Sequence, residues 1–275
     1  MKKILVPVDF SDNSVLALSL AHQIAVKNQG KVTLLHVMDF PMLDGPRVEY
    51  GSDESLEEMI FRMEKIAEER ISSLLERQSY AKEVTAEVQT GPVLKTILQF
   101  EKDGDFDLMV VGISKGATIG DYLFGTFTDK LVHKASSPVL VTKGNMDFAM
   151  VENILMGSAL RLKDNELQRH IQTIRALSKG SLELVRINTP SDFMSQDVFD
   201  ERVRDLQQLP ALKNCDFTSI NFKNPADGLI YQATKSKADM IVIGDKHRST
   251  FRRWIVGEDL AEKVMDFSSL PVLIL

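Results

Sequence analysis

The chain repeats itself, and this internal repeat restricts its fold more than any other feature of the sequence. Asp107-Leu-Met-Val-Val-Gly112 returns as Asp239-Met-Ile-Val-Ile-Gly244, and Ser137-Pro-Val-Leu-Val141 returns as Leu270-Pro-Val-Leu-Ile274. The distance from Gly112 to Gly125 is 13 positions, as is the distance from Gly244 to Gly257. Matching strands, prolines and glycine spacing in one order are hard to obtain by chance. The sequence therefore predicts two fused copies of one unit, residues 1–144 and 151–275.

Each copy alternates short apolar runs with longer helical patterns, which indicates βα units around a parallel sheet. In the first copy the predicted strands are Lys3–Val8, Lys31–Met38, Glu83–Gln89, Asp107–Gly112 and Pro138–Thr142. The predicted helices are Ser14–Asn28, Asp53–Gln78, Val93–Asp103 and Thr126–Ala135. Several strand runs are apolar without alternation, as expected when both faces of a sheet are covered. We predict an α/β fold of two tandem, doubly wound, five-stranded, Rossmann-like domains with strand order 3-2-1-4-5.

Charge and composition exclude several classes of function. The 275 residues carry a net charge of −6, whereas binding to the phosphate backbone of nucleic acids needs a concentrated basic face. No apolar stretch approaches the roughly 20 residues that span a bilayer, so we expect no membrane partner. The single cysteine, Cys215, cannot form an internal disulfide. A reducing compartment follows, and we expect a cytoplasmic protein.

A candidate ligand site lies where predicted strands one and four end. Ligands of open parallel sheets bind beyond the carboxyl ends of the strands, and Asp9 and Gly112 follow two strands that this order makes neighbours. Glycine lets backbone approach an anion closely, and Gly125-Thr126 begins a helix whose free N–H groups favour phosphate. A carboxylate such as Asp9 accepts hydrogen bonds from ribose hydroxyls. This combination suits a nucleotide.

With these residues the chain resembles the universal stress protein family in a tandem two-domain form, and the resemblance covers essentially the whole chain. It is strongest in Ile4-Leu-Val-Pro-Val-Asp-Phe-Ser11 and in Val110–Val141. The family's nucleotide-binding branch carries G-x2-G-x9-G-[S/T], and the length from Gly112 to Gly125-Thr126 agrees. The second glycine departs, because Lys115 stands there and Gly116 comes one residue late. Lys115 either supplies a cation to the phosphates or blocks their approach.

The resemblance implies ATP or a related adenine nucleotide as ligand, with Mg²⁺ as its companion ion. Three residues would flank adenine and ribose: Pro7, Asp9 and Val37. Val111 and Gly112 would begin the phosphate loop, which continues through Lys115 and Gly116. The phosphates would be held by Gly125, Thr126 and the N–H of Phe127.

The second copy departs further from the motif. Ala159 stands where Asp9 would, His247 replaces the second glycine, and Glu258 replaces Thr126. Two unit charges 4 Å apart repel by about 4 kcal/mol at an effective dielectric near 20, a large share of the roughly 8 kcal/mol of micromolar binding. We predict that the second copy binds no ATP.

Three classes of function remain open. The first is a stress-response sensor or adaptor that binds ATP in its first domain and hydrolyses it slowly at most. The second is a structural or interaction protein of the same family without nucleotide. The third, an enzyme of the adenine-nucleotide hydrolase type, needs a serine- and glycine-rich loop after strand one, and Pro7-Val-Asp-Phe-Ser11 is not such a loop.

Two further expectations concern partners and metals. The last strands of both copies would leave apolar edges unless they paired, so the resemblance implies an internal pseudo-dimer, and a homodimer of the chain is expected as well. His22 and His133 lie on helical patterns without acidic or cysteine partners at metal spacing, and no metal site is assigned. The basic run of residues 246–254 reads as a solvated loop that could receive an acidic partner.

Overall fold

The computed structural model describes residues 1–39, 56–78, 80, 83–113, 126–144, 146–160, 164–244 and 260–275. Within these residues the first copy contributes β1 Lys3–Pro7, β2 Lys31–Met38, β3 Val84–Thr90, β4 Leu108–Gly112 and β5 Val139–Thr142. Its helices are α1 Asp12–Asn28, α2 Leu56–Gln78, α3 Val93–Gly104 and α4 Thr126–Lys134. The predicted elements of this copy are thus confirmed to within a few residues where the structure describes them, and the predicted start of the second helix, residues 53–55, lies outside the described residues.

The second copy follows after a 3-10 turn at Phe148–Met150. Its strands are β6 Asn153–Gly157, β7 Ser181–Asn188, β8 Asp216–Asn221, β9 Met240–Ile243 and β10 Val272–Ile274. Its described helices are α5 Asp164–Leu177, α6 Gln196–Gln207, α7 Pro225–Ser236 and α8 Leu260–Phe267. The element order of the first copy therefore returns in the second, as the sequence repeat predicts.

All the strands form one ten-stranded sheet with the order β3-β2-β1-β4-β5-β10-β9-β6-β7-β8. Each copy has the predicted order 3-2-1-4-5 with parallel neighbours. The predicted pairing of the two last strands is also confirmed. β5 and β10 pair antiparallel, with Val141 opposite Val272 and Val139 opposite Ile274.

The central strands are buried on both faces of the sheet. Ile4, Leu5 and Val6 are each 0% exposed, and their side chains alternate between two apolar clusters, one on each side. Such burial explains why these strand sequences are continuously apolar, because helices cover both faces. None of the helices in the described ranges is long and apolar enough to cross a bilayer.

The duplication extends to individual backbone turns. Asp105 and Lys237 both have a positive φ, of 49° and 55°, just before β4 and β9. Two residues later Asp107 accepts hydrogen bonds from the backbone N–H groups of β1's start, and Asp239 accepts the same bonds from Glu152 and Asn153 at the start of β6. The same turn and the same aspartate hydrogen bonds therefore hold the start of the first strand in both copies.

Side chains also tie the two copies together. The Lys143 ammonium group, just after β5, donates hydrogen bonds to the backbone oxygens of Met265, Asp266 and Ser268 at the end of α8. Cations are favourable at a helix C-terminus because the last carbonyls lack partners there. In the segment between the copies, the backbone N–H of Phe148 donates to the side chain of Gln23 on α1.

Candidate functional site

The carboxyl ends of β1 and β4 form the edge at which the sequence places a ligand. These strands are direct neighbours, with Ile4 opposite Leu108 and Leu5 opposite Met109. The residues that follow them therefore lie at one edge of the sheet. Asp9 comes two residues after β1, and Gly112 is the last residue of β4.

Asp9 presents an exposed carboxylate held by a short turn. Its Oδ1 accepts hydrogen bonds from the Ser11 backbone N–H at 3.0 Å and from the Ser11 hydroxyl at 2.6 Å. Partial burial raises the pKa of the Asp9 carboxyl, but these hydrogen bonds outweigh burial and bring the pKa below its ordinary value. The group is thus an anion at neutral pH. The Ser14 side chain also hydrogen-bonds this carboxylate. A carboxylate has about four acceptor positions, so Asp9 retains capacity for a ligand hydroxyl.

Two side chains, His36 and Arg70, contact the Phe10 ring in the turn after Asp9. Phe10 has a φ of 65°, which is unusual for a bulky residue. Its ring lies 4.6 Å from the His36 ring, and the Arg70 guanidinium of α2 lies 4.4 Å from its centroid. His36 Nδ1 is 2.8 Å from the Val8 backbone oxygen. These contacts stabilise Phe10 in this unusual backbone conformation next to Asp9.

Gly112 has a packing role that is independent of any ligand. A Cβ atom there would lie 1.9 Å from the backbone oxygen of Asn13 and 2.4 Å from its carbonyl carbon. The start of α1 therefore rests directly on the end of β4, and only glycine leaves room for it. The glycine that opens the sequence motif would be required here even without a phosphate.

The structure describes some of the other predicted site residues but not all of them. Pro7 ends β1 and is half-buried, Val37 is half-buried in β2, and Val111 is buried in β4. The backbone of Thr126 begins α4, and Phe127 follows with 38% of its surface exposed. Three predicted residues lie outside the described residues: Lys115, Gly116 and Gly125.

The second copy repeats the backbone of this turn with other side chains. Val8 N–H donates to Leu35 at 2.8 Å, and Ser158 N–H donates to Val185 at 3.0 Å. Leu160 has a φ of 55°, as its counterpart Phe10 has a positive φ. Ala159 takes the place of Asp9, as the sequence predicts. The Ser158 hydroxyl accepts the Leu160 N–H at 3.1 Å and so holds the turn without a charge.

A buried ion pair lies near the end of β7, and the sequence patterns did not predict it. Arg186 occupies the strand position of His36 and is 0% exposed. Its guanidinium lies 2.9 Å from the Asp192 carboxylate and donates to the Ala159 backbone oxygen at 3.3 Å. The available signal was the one charged residue inside the apolar run Leu184-Val185-Arg186-Ile187. Such a residue needs a partner when the strand is buried.

Comparison with known proteins identifies the family. The family model described as "Universal stress protein family" matches residues 1–143 and 168–275. The chain belongs to the universal stress protein family. Universal stress protein MJ0577 of Methanocaldococcus jannaschii is 27% identical over 156 residues, which cover 52% of this chain and 94% of that protein.

Solved structures support the same fold over the whole chain. A universal stress protein from Archaeoglobus fulgidus is 16% identical, covers 99% of this chain and 95% of its own, and has a TM-score of 0.68. A protein of unknown function, PA1789 from Pseudomonas aeruginosa, is 20% identical with coverages of 100% and 92% and a TM-score of 0.65. At these identities the likeness concerns the fold alone. The tandem arrangement of this universal stress protein is therefore shared by known structures.

Gly244, the counterpart of Gly112, is packed differently in this family member. A Cβ atom there would meet Met156 Cε at 3.1 Å and His170 Nδ1 at 3.2 Å, which are ends of side chains rather than backbone. Burial lowers the pKa of the His170 imidazole, and nearby Arg169 lowers it further while Glu166 raises it. His247 and Glu258, the other residues predicted to spoil the second site, lie outside the described residues.

Proposed function

We propose that this universal stress protein binds an adenine nucleotide, ATP, at the carboxyl edge of its first repeat and acts as a sensor or adaptor. The observation that carries the proposal is the ionised, exposed carboxylate of Asp9 beside the end of β4. An anion is unfavourable beside phosphates but suits the hydroxyls of a ribose. The helix that begins at Thr126 has first-turn backbone N–H groups without an acceptor inside the helix, and these would serve the phosphates.

The proposed roles follow this division of charge. Pro7 and Val37 flank the base, and Asp9 accepts hydrogen bonds from the ribose. Val111 and Gly112 lead into the phosphate loop, where Lys115 and Gly116 lie close to the phosphates. Gly125, Thr126 and the Phe127 N–H hold the phosphates at the start of α4. Mg²⁺ would arrive with the phosphates and balance their charge.

The second repeat would bind no nucleotide in this proposal. Ala159 offers no acceptor for ribose hydroxyls, and the guanidinium of Arg186 is already paired with Asp192. The Arg186 guanidinium, held by Asp192 and by the Ala159 backbone oxygen, also lies where a ligand at this end of β7 would bind. The chain would therefore hold one nucleotide.

Calorimetric titration with Mg-ATP tests the proposal. We expect one site per chain in the wild type and at least tenfold weaker binding, about 1.4 kcal/mol or more, in Asp9→Ala and Thr126→Glu. Ser158→Ala is the matched control, because it changes the equivalent turn of the second repeat and should leave affinity unchanged. No heat of binding in the wild type, or two sites per chain, would overturn the proposal.

A second candidate function is that of an interaction protein of the same family without nucleotide. A specific observation favours it: Asp9 already holds Ser11, and Gly112 already accommodates the Asn13 backbone. Both residues thus have structural roles that need no ligand. Purified protein that releases no ATP or ADP on denaturation, and whose thermal midpoint does not move with millimolar Mg-ATP, would favour this candidate.

A further inference from the structure

A shallow groove of about 580 Å³ runs along the outer surface of the first repeat between α3 and the end of α4. Its floor is apolar, with Leu94 and Leu98 one helical turn apart on α3 and both half-buried. The turn after α4 forms one end of the groove. Buried Glu101 fixes that end, because its carboxylate accepts the backbone N–H groups of Ser136 and Ser137.

Three exposed lysines line this groove: Lys95, Lys102 and Lys134. Within the described part of the chain, none of their ammonium groups has a hydrogen-bond or ion-pair partner, and no acidic side chain lines the groove. The chain as a whole carries a net charge of −6. A patch of three unpaired cations over apolar side chains therefore contrasts with the average surface of the molecule.

The second repeat provides an internal comparison. Its α7 has the same length of 12 residues as α3, so Asp227 and Thr234 occupy the positions of Lys95 and Lys102. At the end of α8, Phe267 occupies the position of Lys134 and is 71% exposed. The shared fold thus does not require the lysines. Their side chains belong to the surface of the first repeat alone.

We propose that this groove is a docking site for an acidic amphipathic helix of a protein partner. A helix laid into a groove between two helices is a common mode of recognition, in which apolar anchors bind the floor and charges bind the rim. Lys95 and Lys102 are seven residues apart, or about 10 Å along α3. A partner helix with glutamates seven residues apart and leucines between them matches this spacing.

The probe is a capped helical peptide of about 18 residues, long enough to hold a helix, with Glu at i and i+7 and Leu at i+3 and i+4. Fluorescence anisotropy should show saturable binding to the wild-type chain. The triple variant Lys95→Glu, Lys102→Glu, Lys134→Glu should bind at least about tenfold more weakly, because the attraction between the peptide's two glutamates and the lysines of the groove becomes repulsion. The same variant should bind a peptide whose glutamates are replaced by lysine.

The matched control is Lys213→Glu, Lys223→Glu, Lys235→Glu, which makes the same change in net charge on exposed positions of the second repeat. It should bind the acidic peptide as the wild type does. Both variants should remain folded, with similarly small decreases in urea midpoint, because each places glutamate in the last turn of a helix. Equal loss in both triple variants, or no saturable binding to the wild type, overturns the proposal. So does a groove variant that loses binding to a single-stranded oligonucleotide or to anionic vesicles but not to the peptide.

Discussion

The turn after β1 and the turn after β6 have the same backbone conformation. They differ in the side chain of the neighbouring strand that lies next to the turn. Both have a positive φ at the same position and the same hydrogen bond to the neighbouring strand. Behind the first lies half-buried His36, whereas behind the second lies Arg186, fully buried and paired with Asp192. A duplicated fold can thus keep its main-chain geometry while side chains decide whether a surface carboxylate or an internal ion pair occupies the edge.

The largest effect should come from breaking the buried ion pair. Replacing Arg186 by methionine leaves the Asp192 carboxylate, 9% exposed, without the guanidinium. We expect a loss of about 3–5 kcal/mol in the free energy of unfolding, measured by urea denaturation. His36→Met in the first repeat is the matched change and should cost clearly less, because His36 is half-buried and carries no such partner in the described residues.

A double variant sharpens this test. Arg186→Met combined with Asp192→Leu removes both charges, and most of the stability lost in Arg186→Met should return, because an apolar pair needs no charge partner in a buried environment. If Arg186→Met unfolds at the wild-type urea concentration, the ion pair does not hold this part of the second repeat together.

Gly112 and Gly244 should respond differently to the same substitution. Gly112→Ala places a methyl group against the Asn13 backbone, so α1 must move, and we expect a loss of about 3 kcal/mol in unfolding free energy. Gly244→Ala meets the flexible ends of Met156 and His170 and should cost less than about 1.5 kcal/mol. Equal losses in the two variants would contradict the packing difference between the repeats.

The smallest effect concerns the response of the two turns to pH. The pKa of Asp9 in the folded protein lies below its ordinary value of 3.8. Its hydrogen bonds to Ser11 therefore contribute stability above that value, and the contribution is lost as pH falls through the folded pKa. Because the group is exposed, we expect less than about 1 kcal/mol. Urea midpoints between about pH 5 and pH 2 should fall less steeply in Asp9→Asn than in the wild type.

Ser158→Ala supplies the control for the pH experiment. The Ser158 hydroxyl holds the equivalent turn without a titrating group. This variant should lower the urea midpoint slightly and by the same amount at every pH in that range. A pH slope that changes as much in Ser158→Ala as in Asp9→Asn would show that the Asp9 carboxylate is not the source of the difference.

The sequence predicted the architecture because the relevant signals are local and repeated. Continuous apolar runs such as Ile4-Leu5-Val6 identify buried parallel strands, and the duplicated order of strands, prolines and glycines identifies the tandem arrangement. The pairing of β5 with β10 was expected from the family resemblance and from two apolar strands that would otherwise form edges, whereas its antiparallel direction is known from the structure alone.

The candidate site was less predictable because a residue at the end of a strand can be explained by more than one structural or functional role. In the sequence, Gly112 fits a phosphate-binding motif. In the structure, glycine is required there because the Asn13 backbone packs against it, and no local sequence pattern reveals this tertiary contact. Arg186 was missed because its partner Asp192 lies in a loop whose path the strand pattern does not specify. Local periodicity records which face of a strand is covered but not which distant atom covers it.

The antiparallel junction between β5 and β10 has a geometric consequence for the two strand-end edges. Strands within each repeat are parallel, and the two repeats join through the antiparallel pair β5 and β10. The carboxyl ends of the strands in one repeat therefore lie at the opposite edge of the sheet from those in the other. A molecule bound above Asp9 is thus separated from the Arg186 end of the second repeat by the full height of the strands.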